Sequence, residues 1–249
     1  MHEVHTRALG ARRGRWPVVW GALLGEQAMW LVCLSRQASA RSVRVQAFEQ
    51  ANAGPNPGHP HSEAPWWLAH MRRTAQASAW PWPRLRWPTN ARGPLALAWP
   101  QAQCRQGVLV WPGEPDTPAL RAEVHLEAAS ALGLPPAEVG FDFQPQISAS
   151  NACTVAWAAA ARAPLRAGQQ HLRAAGWQVP HIEPEALAAQ RAAECLLGEP
   201  VLPWAVPVRD WQFATRPQRH LPDAAWRALQ DSPHWGALAA CGAALAVLA

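Results

Sequence analysis

LRAEVHLEAASALGLPPAEVGFDFQ, Leu120 to Gln144, and HLRAAGWQVPHIEPEALAAQRAA, His171 to Ala193, decide the fold class. Ahead of the first segment, Thr117 is an N-cap followed by an N1 proline, Pro118, and Gly133 supplies the stop. Between them Leu120, Val124, Ala128 and Ala131 recur at helical spacing, so they form the inward face of a helix. Val139, Phe141 and Phe143 then alternate with Gly140 and Asp142, the period of a half-buried strand. In the second segment a helix over Pro164–Ala175 ends at Gly176. A strand follows at Trp177–Ile182, and then a helix at Pro184–Leu197 stopped by Gly198. This alternation of strand and helix predicts an α/β protein.

Outward from these segments, Leu95–Trp99 and Gln106–Trp111 read as a strand pair, and Thr154–Ala159 as a neighbour of the 139–143 strand. Residues 94–162 therefore form a small β-β-α-β-β domain, and 163–198 return to the main body. Upstream, Trp16–Leu24, Met29–Leu34 and Arg41–Phe48 read as strands, the first two joined by a Gly25-Glu26-Gln27 turn. In the third, Val43, Val45 and Ala47 alternate with Arg44 and Gln46. Ala51–His61 is a loop rich in Pro, Gly and Asn; Ser62 caps a helix through Gln76 with Trp67, Leu68 and Met71 inward. WPWPRLRWP, within Trp80–Gly93, holds Pro81, Pro83 and Pro88, which forbid a regular helix or a central strand and leave a linker or flap. Met1–Arg15 is a basic tail. Beyond Gly198 the chain turns rich in Pro, Trp and Arg, with a short hairpin at Val201–Phe213. A last helix opens at Ser232 and Pro233, with Leu238, Leu245 and Leu248 near one face.

The 249 residues fit one large or two small domains. There is no Lys and no Tyr, so the 22 basic residues are all Arg, the bias of GC-rich codons. A net charge of +5 permits contact with anionic surfaces without demanding it. Five scattered cysteines with no C-x-x-C pair argue against a disulfide framework or a Cys-based zinc site and suit a reducing compartment. Trp16–Leu34 imitates a signal anchor, but Glu26 and Gln27 sit at its centre, where a charge costs about 2.5–3.5 kcal/mol on insertion scales. Trp235–Ala249 is shorter than the ~20 residues a spanning helix needs. The expected protein is soluble, with an N-terminal anchor as the minority reading.

Taken in order, these segments resemble the PilM family of type IV pilus assembly proteins, from about Val18 to Leu197 and again at Trp235–Leu245, where ALAACGAALAV matches a helical ACGLAL segment. The resemblance implies a partial actin-like (ribonuclease H-like) body over 16–93 and 163–198, a small inserted domain over 94–162, and a reduced C-terminal remnant over 199–249. In this family the first phosphate hairpin reads close to G-I-D-I-G-S-S-S-V-K-x-V-E-L-S. The matching line here is GALLGEQAMWLVCLS, Gly21 to Ser35. Gly21 and Gly25 fit, but the Asp position is Leu23, the first Ser is Glu26 and the Lys position is Trp30. Leu23 cannot hold a metal–water shell, Glu26 would repel phosphate oxygens, and Trp30 removes a cation. The second phosphate hairpin has no visible counterpart. The resemblance therefore implies a nucleotide-free, non-enzymatic relative that needs no cofactor. It also implies a scaffold on the cytoplasmic face of the inner membrane. There it would bind the N-terminal peptide of a bitopic PilN-like partner in a groove of the body beside the inserted domain, with self-association a further possibility. By analogy the peptide site lies around Trp99, Val108, Val110 and Phe141.

Other chemistry is weaker. Glu123 and Glu127 lie one turn apart and read as a solvated helix face rather than an acid pair, with His125 a surface residue between them. His59-x-His61 with His70 could bind metal but lacks a carboxylate at fixed spacing, so no metal site is expected. Trp80, Trp82, Arg84, Arg86 and Trp87 could stack and pair single-stranded nucleic acid, but a packing flap is favoured and no nucleic-acid partner is expected. No G-x-S-x-G, P-loop, H-E-x-x-H or G-x-G-x-x-G is present. The rival readings are an active actin-like ATPase and a single-strand binder using the flap.

Overall fold

The computed structural model describes residues 16–37, 42–53, 65–77, 93–115, 117–147, 153–198 and 206–248. The Trp/Arg flap, His59, His61 and the basic tail lie outside the described residues. Two compact units are present, Met1–Ala98 with Leu172–Ala249, and Trp99–His171.

The larger unit is built on an antiparallel meander of β1 (Val18–Leu24), β2 (Ala28–Arg36) and β3 (Ser42–Asn52). Helix α1 (Trp66–Ala77) follows, and then β4 (Pro94–Trp99), which lies parallel to β1 with Trp20 beside Leu95. From the second half of the chain come β8 (Gln178–Pro184), helix α4 (Glu185–Cys195), β9 (Gln212–Ala214), α5 (Asp223–Gln230) and α6 (Trp235–Leu248). The sheet order is β8-β4-β1-β2-β3-β9. Apart from the short edge strand β9, this is the strand order of a ribonuclease H-like sheet.

Alternation along the strands makes both faces of this sheet apolar. On one face Trp20, Ala22, Met29, Leu31, Cys33, Leu95 and Leu97 pack with Trp67, Leu68 and Met71 of α1 and with Leu172 and Trp177. On the other, Val19, Leu23, Val32, Leu34, Val43, Val45, Ala96 and Ala98 pack with the alanine-rich faces of α4 and α6. Val208, Trp211, Phe213, Leu221 and Leu229 close the same cluster.

The smaller unit holds β5 (Cys104–Trp111), α2 (Pro118–Leu132), β6 (Val139–Ile147), β7 (Cys153–Ala161) and most of α3 (Arg162–Ala174). Its sheet order is β5-β7-β6, antiparallel throughout. The capping expected of α2 is present: Leu120 N–H donates to Thr117 Oγ1 at 3.1 Å, Pro118 opens the helix, and Gly133 ends it at φ 64°. Leu120, Val124, Ala128 and Ala129 cover one face of the sheet, against Val139, Val155, Trp157 and Ala159. The Trp157 ring lies across β5 at Gly107, where a Cβ would stand 2.4 Å from the ring.

Several expectations need correction. β4 does not pair with β5. Its residues are apolar on both sides and buried on both sides, which suits the middle of the large sheet and not a hairpin of a half-exposed one. The smaller unit is thus a β-α-β-β arrangement running into α3, over Trp99–His171 rather than 94–162. Ala131 is exposed and Ala129 takes its inward place. β9 pairs with β3, Ser42 opposite Ala214, so the described part of 201–213 is not a hairpin. In the segment 206–248, α5, unforeseen, packs Leu229 inward, and α6 is buried all round instead of along one face. A helix apolar on every side belongs inside a core.

Candidate functional site

The hairpin matched to the phosphate-binding motif is formed by β1, β2 and the Gly25-Glu26-Gln27 turn. Gly25 N–H donates to Ala28 O at 2.9 Å, so that turn donor is satisfied within the hairpin. Glu26 points its side chain to solvent while its carbonyl accepts from Trp66 Nε1 at 2.9 Å. Leu23, at the Asp position, is 3% exposed within the cluster shared with α4 and α6. Trp30, at the Lys position, lies half-buried against the start of α6, so close that a Cβ on Gly236 would stand 2.2 Å from its ring. Gly21 serves the same contact. Its missing Cβ would stand 1.9 Å from Ala240 O, which lets α6 approach the strand backbone.

Helix α6 is fixed along its whole length. A Cβ on Gly242 would stand 1.6 Å from Ala188 O, so α4 and α6 meet backbone to backbone. Arg36 donates to the Leu248 carbonyl at the far end. Between these points lies an ion pair with a buried carboxylate that sequence reasoning missed. Arg191 of α4 holds Glu183 of β8 through both carboxylate oxygens, with Nη2 2.7 Å from Oε2, and its Nη1 also donates to Gly242 O at 3.1 Å. His181 Nε2 stands 3.4 Å from Glu183 Oε1, at the long limit of a hydrogen bond. Burial pushes the Glu183 carboxyl upward, but the His181 hydrogen bond and the Arg191 charge outweigh it and hold the group below its ordinary value. The visible signal was a Glu at a strand end with an Arg eight residues on, a spacing that matches no local rule. Arg219 makes a second unforeseen link: its Nη1 donates to Gly198 O at 3.1 Å and its Nη2 to Leu196 O at 3.0 Å, closing the end of α4.

The four peptide-site candidates are not brought together. Val108 and Val110 are 67% and 73% exposed on the face of the small sheet away from α2. Phe141 is on the opposite face, its ring 4.6 Å from His125 and 5.3 Å from the Arg121 guanidinium carbon. His125 is therefore a packed residue and not a bland surface one; its Nε2 is 2.7 Å from Pro136 O. Trp99 is half-buried with its ring beside Gly168 of α3. Glu123 and Glu127 are exposed, as expected of a solvated face. His70 pairs with Glu49 at 2.9 Å. Among the described residues no group of three or more His, Cys, Asp or Glu could hold a metal ion, and no helix is long and apolar enough to cross a membrane. All five cysteines are buried, and burial pushes the Cys33 thiol up to about 12.

No protein-family profile and no curated protein matches this sequence. Solved structures do. A chain of a PilM–PilN type IV pilus biogenesis complex superposes with a TM-score of 0.51 at 18% identity, over 71% of this chain and 50% of that one. The fold is actin-like. The cytoplasmic domain of EpsL, an inner-membrane component of the type II secretion system of Vibrio cholerae, gives a TM-score of 0.46 at 14% identity, over 69% of this chain and 58% of that one. The chain thus spans about half the length of the pilus protein it matches.

Proposed function

We propose that this chain is a non-catalytic docking scaffold of a pilus or secretion assembly, held on the cytoplasmic side of the inner membrane by a bitopic, PilN-like partner. The observation that carries this reading is the use made of the degenerate hairpin. Leu23 and Trp30, at the positions where the family resemblance places the metal-orienting Asp and the cationic Lys, are packing residues against α4 and α6. A carboxylate placed at Leu23 would face the apolar cluster without a partner. The likeness in fold to a chain of a pilus complex supports the class of assembly. The role that remains to such a body is to present surface to a partner, with no reaction cycle of its own.

The test is co-purification of the full chain with a bitopic, PilN-like inner-membrane protein from the same cells. Retention that survives addition of excess ATP or chelator, and is competed by a synthetic peptide of that protein's cytoplasmic N-terminus, is the expected result. Retention that requires hydrolysable nucleotide would refute a constitutive scaffold.

A further inference from the structure

We infer that strand β5 is a self-association edge, and that two copies of this chain pair antiparallel along it to make one six-stranded sheet from two three-stranded ones. This does not depend on the docking reading. It starts from a contrast among the sheet edges. An edge strand offers unpaired N–H and C=O groups to any incoming chain unless something blocks it, and proline is one such block. Of the described edges, β6 carries Pro145 and β8 carries Pro180, while β9 has 3 residues. β5 is 8 residues long with no proline, and its side chains away from α2 include the exposed Val108 and Val110. It is the one described edge left both long and unguarded.

The pattern of β5 points to a second copy of itself. Antiparallel pairing with Val108 on the two-fold axis sets Val108 against Val108 of the second copy and Val110 against its Gln106. The four valines then form one apolar patch across the seam, the cross-strand contact that stabilises sheets. On the other face Leu109 meets Gly107 of the second copy, a large residue opposite a small one. Charge is also self-complementary. Arg105 opens the strand and is exposed, while Glu114 lies just past its far end, in a turn closed by Trp111 Nε1 donating to Glu114 O at 3.0 Å. Reversing the second copy brings its Trp111 opposite Arg105 and its Glu114 alongside, and the same pairing occurs again at the other end. Such an isologous contact closes on itself as a dimer. A partner of one charge sign would satisfy only one end of the strand.

Sedimentation equilibrium of the full chain should show a dimer at micromolar concentration. The double variant Val108→Lys, Val110→Lys sets like charges across the seam and should weaken association by about tenfold or more, with the far-ultraviolet circular dichroism unchanged because both positions are exposed. Independently, Val108→Cys supplies an exposed thiol in a chain whose own cysteines are buried, and a paired position on the axis has a Cα separation within disulfide range. Mild oxidation should give a covalent dimer. A wild-type chain that stays monomeric, a dimer indifferent to the lysines with no cross-link through Cys at 108, or a monomer that takes an unrelated extended peptide along β5 would each overturn the proposal.

Discussion

The β1–β2 hairpin and strand β5 are both β segments that a ligand could approach, and their side chains face opposite ways. In the hairpin, Leu23 is 3% exposed and Trp30 is pressed onto Gly236, so both side chains belong to a core. In β5, Val108 and Val110 are apolar and yet 67% and 73% exposed. The lesson is that an apolar strand residue can serve either as core or as exposed edge, and only its neighbours in space decide which. The first region is a packing element; the second presents an apolar edge that the local fold does not use.

The sharpest break of this contrast is a carboxylate placed inside the hairpin. Leu23→Asp should lower unfolding stability by about 3 kcal/mol or more, because the carboxylate would be buried with no partner, and urea denaturation would read it. An unchanged midpoint would show that the hairpin is not sealed. Next in size is Glu183→Gln, which leaves Arg191 without its carboxylate. The expected loss is about 2–3 kcal/mol, below that of a fully buried pair, because the Arg191 side chain keeps 30% of its surface in water. The sign with pH follows from the lowered value of Glu183. Its contribution is fully present above the unfolded carboxyl value of about 4.3 and is lost as the pH falls through the folded value beneath it. Wild type should therefore lose stability at acid pH more steeply than the glutamine variant. In the smaller unit, Thr117→Ala should remove about 1 kcal/mol with the N-cap. Val110→Thr on β5, measured at protein concentrations low enough to keep the chain monomeric, should change chemical stability by less than about 0.5 kcal/mol, which sets the exposed strand apart from the sealed hairpin.

Most secondary elements were legible because their signals are local. Thr117, Pro118 and Gly133 mark α2 within one residue, and the alternation of Val43, Val45 and Ala47 marks β3. Pairing was not legible, since a strand pattern states which faces are buried and not which neighbour buries them. β4 is an apolar run without alternation, a pattern that belongs in a sheet covered on both sides. The buried state of α6 was equally readable from its lack of any polar face. α5 is short and its single fully buried apolar residue, Leu229, left little to read. At the candidate site, the apolar character of Leu23 and Trp30 was visible, but the close approaches at Gly21, Gly236 and Gly242 depend on backbones distant in sequence. The Glu183–Arg191 pair joins a strand to the following helix and on to α6, a contact no spacing rule encodes.

Isothermal titration of the full chain with Mg–ATP tests the sealed hairpin most directly. With Leu23 and Trp30 committed to the core and the Gly25 N–H held by Ala28, no saturable heat should appear up to millimolar nucleotide. Saturable binding with a micromolar Kd would contradict the account.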